Sequence, residues 1–170
     1  MSSTGTLRRR EKGLDAITQH NNIVVLMIPD LVDVGGPWKV LPPGIHPATV
    51  EEVKSVFVIN SVRERLFDGF VLGTTALALA GCRTVYLDGS FVTEKETPGD
   101  YDVSWDTTGV DVAKLDSVFL DFTDSRRFQK DKFLGEFFPE SAAFAVLALF
   151  QIDKYTGARK GILKITLSAP

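Results

Sequence analysis

The chain reads as an α/β (α+β) domain in which short strands and helices follow one another. Three observations carry that reading. Short apolar runs at residues 84–87 and 162–167 alternate with the period of half-buried strands and are bounded by Gly, Asp or Ser. Val50, Val53 and Phe57 recur at helical spacing, and a long apolar segment with helical spacing runs on to Gly81. A 170-residue chain that is 44% hydrophobic is long enough and apolar enough to bury one core.

Taken in order, residues 1–40 read as an N-terminal arm and residues 41–170 as the domain. The arm joins the basic cluster Arg8, Arg9 and Arg10 to an apolar run at 23–28, which reads as one strand, and to the breaker Gly35-Gly36-Pro37. Residues 41–47 carry three prolines, which fix φ and push their predecessors out of the helical region, so an extended segment is expected. Thr49 with Glu52 three residues later is a capping box that opens a helix. A longer helix is expected over 61–80, stopped by Gly81, with Gly69 and Gly73 marking a face that packs closely on another element.

Beyond it, 84–87 reads as a strand, 90–96 as a short helix or turn and 100–105 as the next strand. Residues 111–116 read as a short helix, 117–122 as a third strand, 142–150 as a helix or buried strand, and 162–167 as the last strand. The polar stretch holding Asp153, Lys154, Gly157, Lys160 and Gly161 is expected to close a hairpin before it.

Charge and composition narrow the function. With 22 acidic against 19 basic residues the net charge is −3, so any attraction to a polyanion has to be local. A lone cysteine, Cys82, excludes an internal disulfide framework and fits a small buried residue in a reducing, cytoplasmic setting. The apolar runs at 67–82 and 142–150 fall short of the roughly 20 residues that span a bilayer, and the start of the chain lacks a secretory pattern. His20 and His46 are the only histidines, which leaves little for a His-based metal site or a Ser-His-Asp triad, and His46 reads as a structural hydrogen bonder. Neither a P-loop nor a dinucleotide fingerprint is present.

The chemistry concentrates in residues 86–106. Gly89 allows a sharp turn after the strand at 84–87, and Ser90 then offers its amide and hydroxyl to a phosphate. Ten positions on, Asp100 and Asp102 lie two apart on a strand, which sends both carboxylates to one face about 6.5 Å apart. Hard oxygen ligands of this kind suit Mg²⁺ (or Mn²⁺), which binds through one or two carboxylates and substrate phosphates. Asp121, set between Leu120 and Phe122 in an apolar run, is the third acid expected to complete a two-metal site, with Asp116 a weaker candidate. Lys130, with Arg126, Arg127 and Lys132, and Lys154 or Lys160 in the later turn are the cations available to phosphate, although such charge runs are more often solvated faces. Trp38 and Trp105 read as packing residues that could also stack on a base.

Gly89, Ser90, Asp100, Asp102 and Asp121 together resemble the signature of the nucleotidyltransferase superfamily typified by DNA polymerase beta and the minimal bacterial nucleotidyltransferases. More closely, L-P-P-G-I-H, Y-L-D-G-S-F-V-T, P-G-D-Y-D-V-S-W-D and F-Q-I-D-K-Y-T-G-A-R-K-G-I are similar to a poorly characterised prokaryotic and phage family of that type, over about residues 40–167. The resemblance implies a mixed sheet flanked by helices and the metal-dependent transfer of a nucleoside monophosphate from an NTP to a protein, RNA or small-molecule acceptor, in several members within toxin–antitoxin pairs. One position departs from it: Asp88 stands where an apolar residue usually precedes the Gly-Ser, and it either disturbs phosphate binding or adds a ligand. A second reading from another class is a catalytically weak domain of the same fold that serves as an interaction or antitoxin-like module. A third is nucleic-acid binding through Arg8, Arg9 and Arg10.

Overall fold

The structure, a computed structural model, describes residues 28–141 and 146–168. The Arg8–Arg10 cluster and all but the last residue of the apolar run at 23–28 lie outside the described residues, as does the start of the 142–150 segment. A mixed five-stranded sheet holds β1 (Gly44–Ala48), β2 (Thr84–Asp88), β3 (Asp102–Asp106), β4 (Glu136–Glu140) and β5 (Gly161–Thr166) in the order β1-β5-β2-β3-β4. β5 pairs parallel with β1 and antiparallel with β2, and β3 pairs antiparallel with β2 and parallel with β4. Both edge strands carry a proline, Pro47 and Pro139, at positions where an interior strand could not spare a donor.

The helices are α1 (Val50–Phe57), α2 (Ser61–Leu79), α3 (Arg127–Phe133) and α4 (Val146–Phe150). α1 starts as its sequence requires: the Thr49 hydroxyl accepts from Glu52 N while the Glu52 carboxylate accepts from Thr49 N. Asn60 caps α2 by accepting from Arg63 N, and Gly81 at φ +102° ends it, with its N–H donating to Ala78 O. Val53, Phe57, Phe67, Phe70 and Leu77 from α1 and α2 bury one face of the sheet against Val85, Leu87, Val103, Trp105, Phe137, Leu163 and Ile165. No helix among the described residues is long and apolar enough to cross a membrane.

Three expectations are corrected. Residues 117–122 do not form a strand: the Asp116 carboxylate accepts from Val118 N and starts a 3-10 turn over Ser117–Leu120 instead. Residues 111–116 form turns rather than a helix. The strand that lies beside β3 is Glu136–Glu140, which its sequence E-F-F-P-E conceals because proline is rare in strands.

Candidate functional site

Alternation along the strands decides what the free face of the sheet presents. Because Val85, Leu87, Val103 and Phe137 point into the core, Asp88, Asp102 and Glu136 point the other way. Registry then aligns them: Asp88 pairs with Asp102 across β2 and β3, and Asp102 with Glu136 across β3 and β4. Three carboxylates therefore stand in a row across three adjacent strands, and Asp100 precedes the middle one by two residues.

The row borders a cleft of about 280 Å³. Its lining combines polar residues, Asp88, Gly89, Ser90, Asp100, Asp102, Lys154 and Lys160, with apolar and aromatic ones, Trp38, Leu149, Ile152 and Tyr155. Trp38 and Tyr155 meet edge to face at 5.5 Å between ring centroids. Lys160 Nζ is in contact with Asp88 Oδ1, and both side chains are almost fully buried. Asp153, which also lines the cleft, accepts at Oδ2 from Tyr155 N, Thr156 N and the Thr156 hydroxyl and so fixes the turn there.

Gly89 is required twice over. Its φ of +86° lies in the left-handed region, and a Cβ there would stand 2.7 Å from Asp102 Oδ2 and 3.0 Å from Asp102 N. The backbone thus passes against the acid row with no room for a side chain. Ser90 begins a single 3-10 turn over Ser90–Val92, closed by the Thr93 hydroxyl donating to Ser90 O at 2.7 Å.

The structure brings Gly89, Ser90, Asp100, Asp102 and Lys154 to this cleft. It does not bring Asp121. That residue follows the 3-10 turn, accepts from Thr123 N and the Thr123 hydroxyl, and lines a separate open surface with Ser117 and Phe122. The hydroxyl bond pulls its carboxyl below the usual range, as expected of a turn acid. The third acid beside Asp102 is Glu136. Lys130 lies at that outer end of the row, in contact with Glu136 and 4.0 Å from Asp100, and Arg126 reaches Glu136 at 3.6 Å. Glu136 was visible in the sequence only as an acid before two phenylalanines, and Lys160, a cation the turn offered to phosphate, is instead in contact with Asp88.

Electrostatics single out Asp102. Burial first, then the charges of Asp88, Asp100 and Glu136, push its carboxyl up to about 7. Burial also raises Asp88, with Lys160 acting against it. Among the described residues, no group of three or more His, Cys, Asp or Glu side chains forms a ready metal cage. The donor set nonetheless fits a divalent cation, since crowded carboxylates around a partly buried Asp are what such an ion relieves.

A stability prediction follows for the metal-free protein. A carboxyl that keeps its proton up to about 7 when folded, but only to about 4 when unfolded, favours the folded state at low pH. Stability should therefore fall as pH rises from about 4 to 7, by at most about 4 kcal/mol, with residual solvent contact reducing the loss. Asp102→Asn should remove most of that slope and be more stable than wild type at pH 8. Urea unfolding at pH 5 and pH 8 measures both; an unchanged slope in the variant would exclude Asp102 as its source.

An acid row with a glycine-serine turn at one end of a mixed sheet defines an α+β domain with a polar, ligand-sized cleft. The chain belongs to a family of unknown function, DUF6932, which it matches over residues 37–166. No curated protein matches it, and no solved structure does.

Proposed function

We propose that the domain is a metal-dependent nucleotidyltransferase that moves a nucleoside monophosphate from an NTP to an acceptor hydroxyl on a protein, an RNA or a small molecule. The observation that carries this reading is the convergence of Asp88, Asp100 and Asp102 on the cleft at the Gly89-Ser90 turn, with Glu136 next to Asp102 in register. Mg²⁺ or Mn²⁺ held by Asp100 and Asp102 would supply the positive charge that a triphosphate requires. The Ser90 amide and hydroxyl would take a phosphate oxygen, and Lys154 is a cation in the lining of the same cleft. Trp38, Ile152 and Tyr155 give that lining an apolar part, which suits a nucleobase. In the transfer, the acceptor oxygen bonds to the α-phosphorus and the bond to the bridging oxygen breaks. Pyrophosphate leaves, and a carboxylate of the row takes the hydroxyl proton. The resemblance in sequence adds a setting, a toxin–antitoxin or phage-defence pair.

A second reading has its own observation. Lys160 and Lys130 already sit on Asp88 and Glu136, an arrangement also suited to an inert interaction or antitoxin-like module. Calorimetric titration of ATP, GTP, CTP and UTP with Mg²⁺ separates the two. Saturable binding of at least one nucleotide is expected in the wild type, and its loss in an Asp100→Ala, Asp102→Ala variant whose circular dichroism is unchanged. Wild-type protein that binds none of the four would sink the transferase reading in favour of the module.

A further inference from the structure

We propose that Lys160 is a fixed cation built into the acid row in place of one of two metal ions, so that the chain takes up a single divalent ion on Asp100 and Asp102. The proposal rests on the transferase reading above and adds which cations that site uses.

Asp88 is the starting point. A carboxylate only 5% exposed is costly to keep charged unless a partner is buried with it, and Lys160, 8% exposed, is that partner. Lys160 is not a surface lysine that happens to reach inward. Its backbone N–H donates to Gln151 O at 3.0 Å, and the next N–H, of Gly161, donates to Leu41 O at 2.8 Å. At Gly161 a Cβ would stand 2.1 Å from Pro42 O, so the chain is pressed against its neighbour where it delivers the lysine. The ammonium is therefore set by main-chain geometry at the head of β5.

Lys130, at the other end of the row, differs. Its side chain is 38% exposed and emerges from α3, so it can swing out when a ligand arrives. Only Lys160 is locked in. Registry places Asp88 directly beside Asp102, and the charge of Lys160 is felt at Asp102 as well as at Asp88.

A lysine does not exchange with solvent as a metal does, so the position at Asp88 would be filled at any metal concentration.

The test uses the full chain and Mn²⁺ alone, with free Mn²⁺ counted by electron paramagnetic resonance. One ion per chain is expected in the wild type. Lys160→Met should admit a second ion, because Asp88 is released. Should that variant fail to fold with Asp88 unpaired, Asp88→Asn combined with Lys160→Met removes both charges and is expected to bind one ion, as the wild type does. Two ions in the wild type, one in both wild type and Lys160→Met, or none in the double variant overturns the role of Lys160 and leaves the transferase reading intact. No ion in either wild type or Lys160→Met overturns this inference, while the transferase reading is decided by the nucleotide titration with Mg²⁺.

Discussion

Replacing Arg63 by Met should cost the domain about 4 kcal/mol or more, read as a shift of the urea midpoint. Arg63 is 1% exposed, and among the described residues no carboxylate forms an ion pair with it. Its guanidinium instead donates to five backbone carbonyls: Nη1 to Phe57 O and Phe91 O, Nη2 to Thr93 O and Lys95 O, and Nε to Glu96 O. The planar fork meets a loop whose carbonyls all turn inward, and the face of the Phe91 ring lies 5.4 Å away. Burial lowers its pKa, which measures how far from water the charge has been taken. Methionine keeps much of the volume and none of the donors, and each buried carbonyl left unpaired costs about 1–3 kcal/mol. Lysine has three donors on one nitrogen and cannot span from Phe57 to Glu96, so Arg63→Lys should fall between the two. A loss under about 1 kcal/mol for the methionine variant would mean that water replaces the guanidinium and that this loop is not held from within.

The second large effect has an inverted sign. Alanine for glycine inside a helix ordinarily stabilises by about 1 kcal/mol. In α2 it should do the reverse. A Cβ at Gly69 would lie 2.0 Å from Phe133 O, and one at Gly73 would lie 2.3 Å from Phe137 Cζ. Main chain cannot yield at Gly69 without moving α3, so Gly69→Ala is expected to lose about 3 kcal/mol, at the upper end of overpacking costs. At Gly73 the obstacle is a ring, and pairing Gly73→Ala with Phe137→Leu should recover part of the loss. Gly99→Ala meets nothing within 4 Å and serves as the control, with little change expected. Thermal unfolding of the four variants measures the series. Were Gly69→Ala as stable as Gly99→Ala, the close approach of α2 to α3 would not exist in solution.

What the sequence disclosed was local. The capping box at Thr49 and Glu52, the stop at Gly81, the Gly89-Ser90 turn and the Asp-x-Asp, of which Asp102 opens β3 while Asp100 stands before the strand and not on it as expected, all rest on residues within a few positions of one another. The G-x-x-x-G of α2 announced close packing, though not that its partners are Phe133 and Phe137. Asp121 misled because F-L-D-F alternates like a strand, while the cap from Asp116 that turns this segment into a 3-10 helix lies one residue before it begins. Glu136 stayed hidden behind Pro139, which only an edge strand tolerates, and it joins the site through registry with Asp102. Arg63 looked like any solvated arginine in a first helical turn. Four of its five carbonyl partners sit 28 to 33 residues further on, a separation that no helical period can register.

The placing of β5 has a consequence for how the domain comes into being. The last strand is hydrogen-bonded on both sides, between the first strand and the second. As the chain emerges from a ribosome, β1 has no neighbour and β2 shows a bare edge until residues 161–166 are released. Pairings this distant in sequence are slow to form, so the domain completes itself only after synthesis has passed them. Lys160 travels with that strand, and Asp88 waits for its counter-ion until then. The nascent protein therefore carries Asp88 exposed and without its counter-ion, and closing the sheet and neutralising that end of the row are one event.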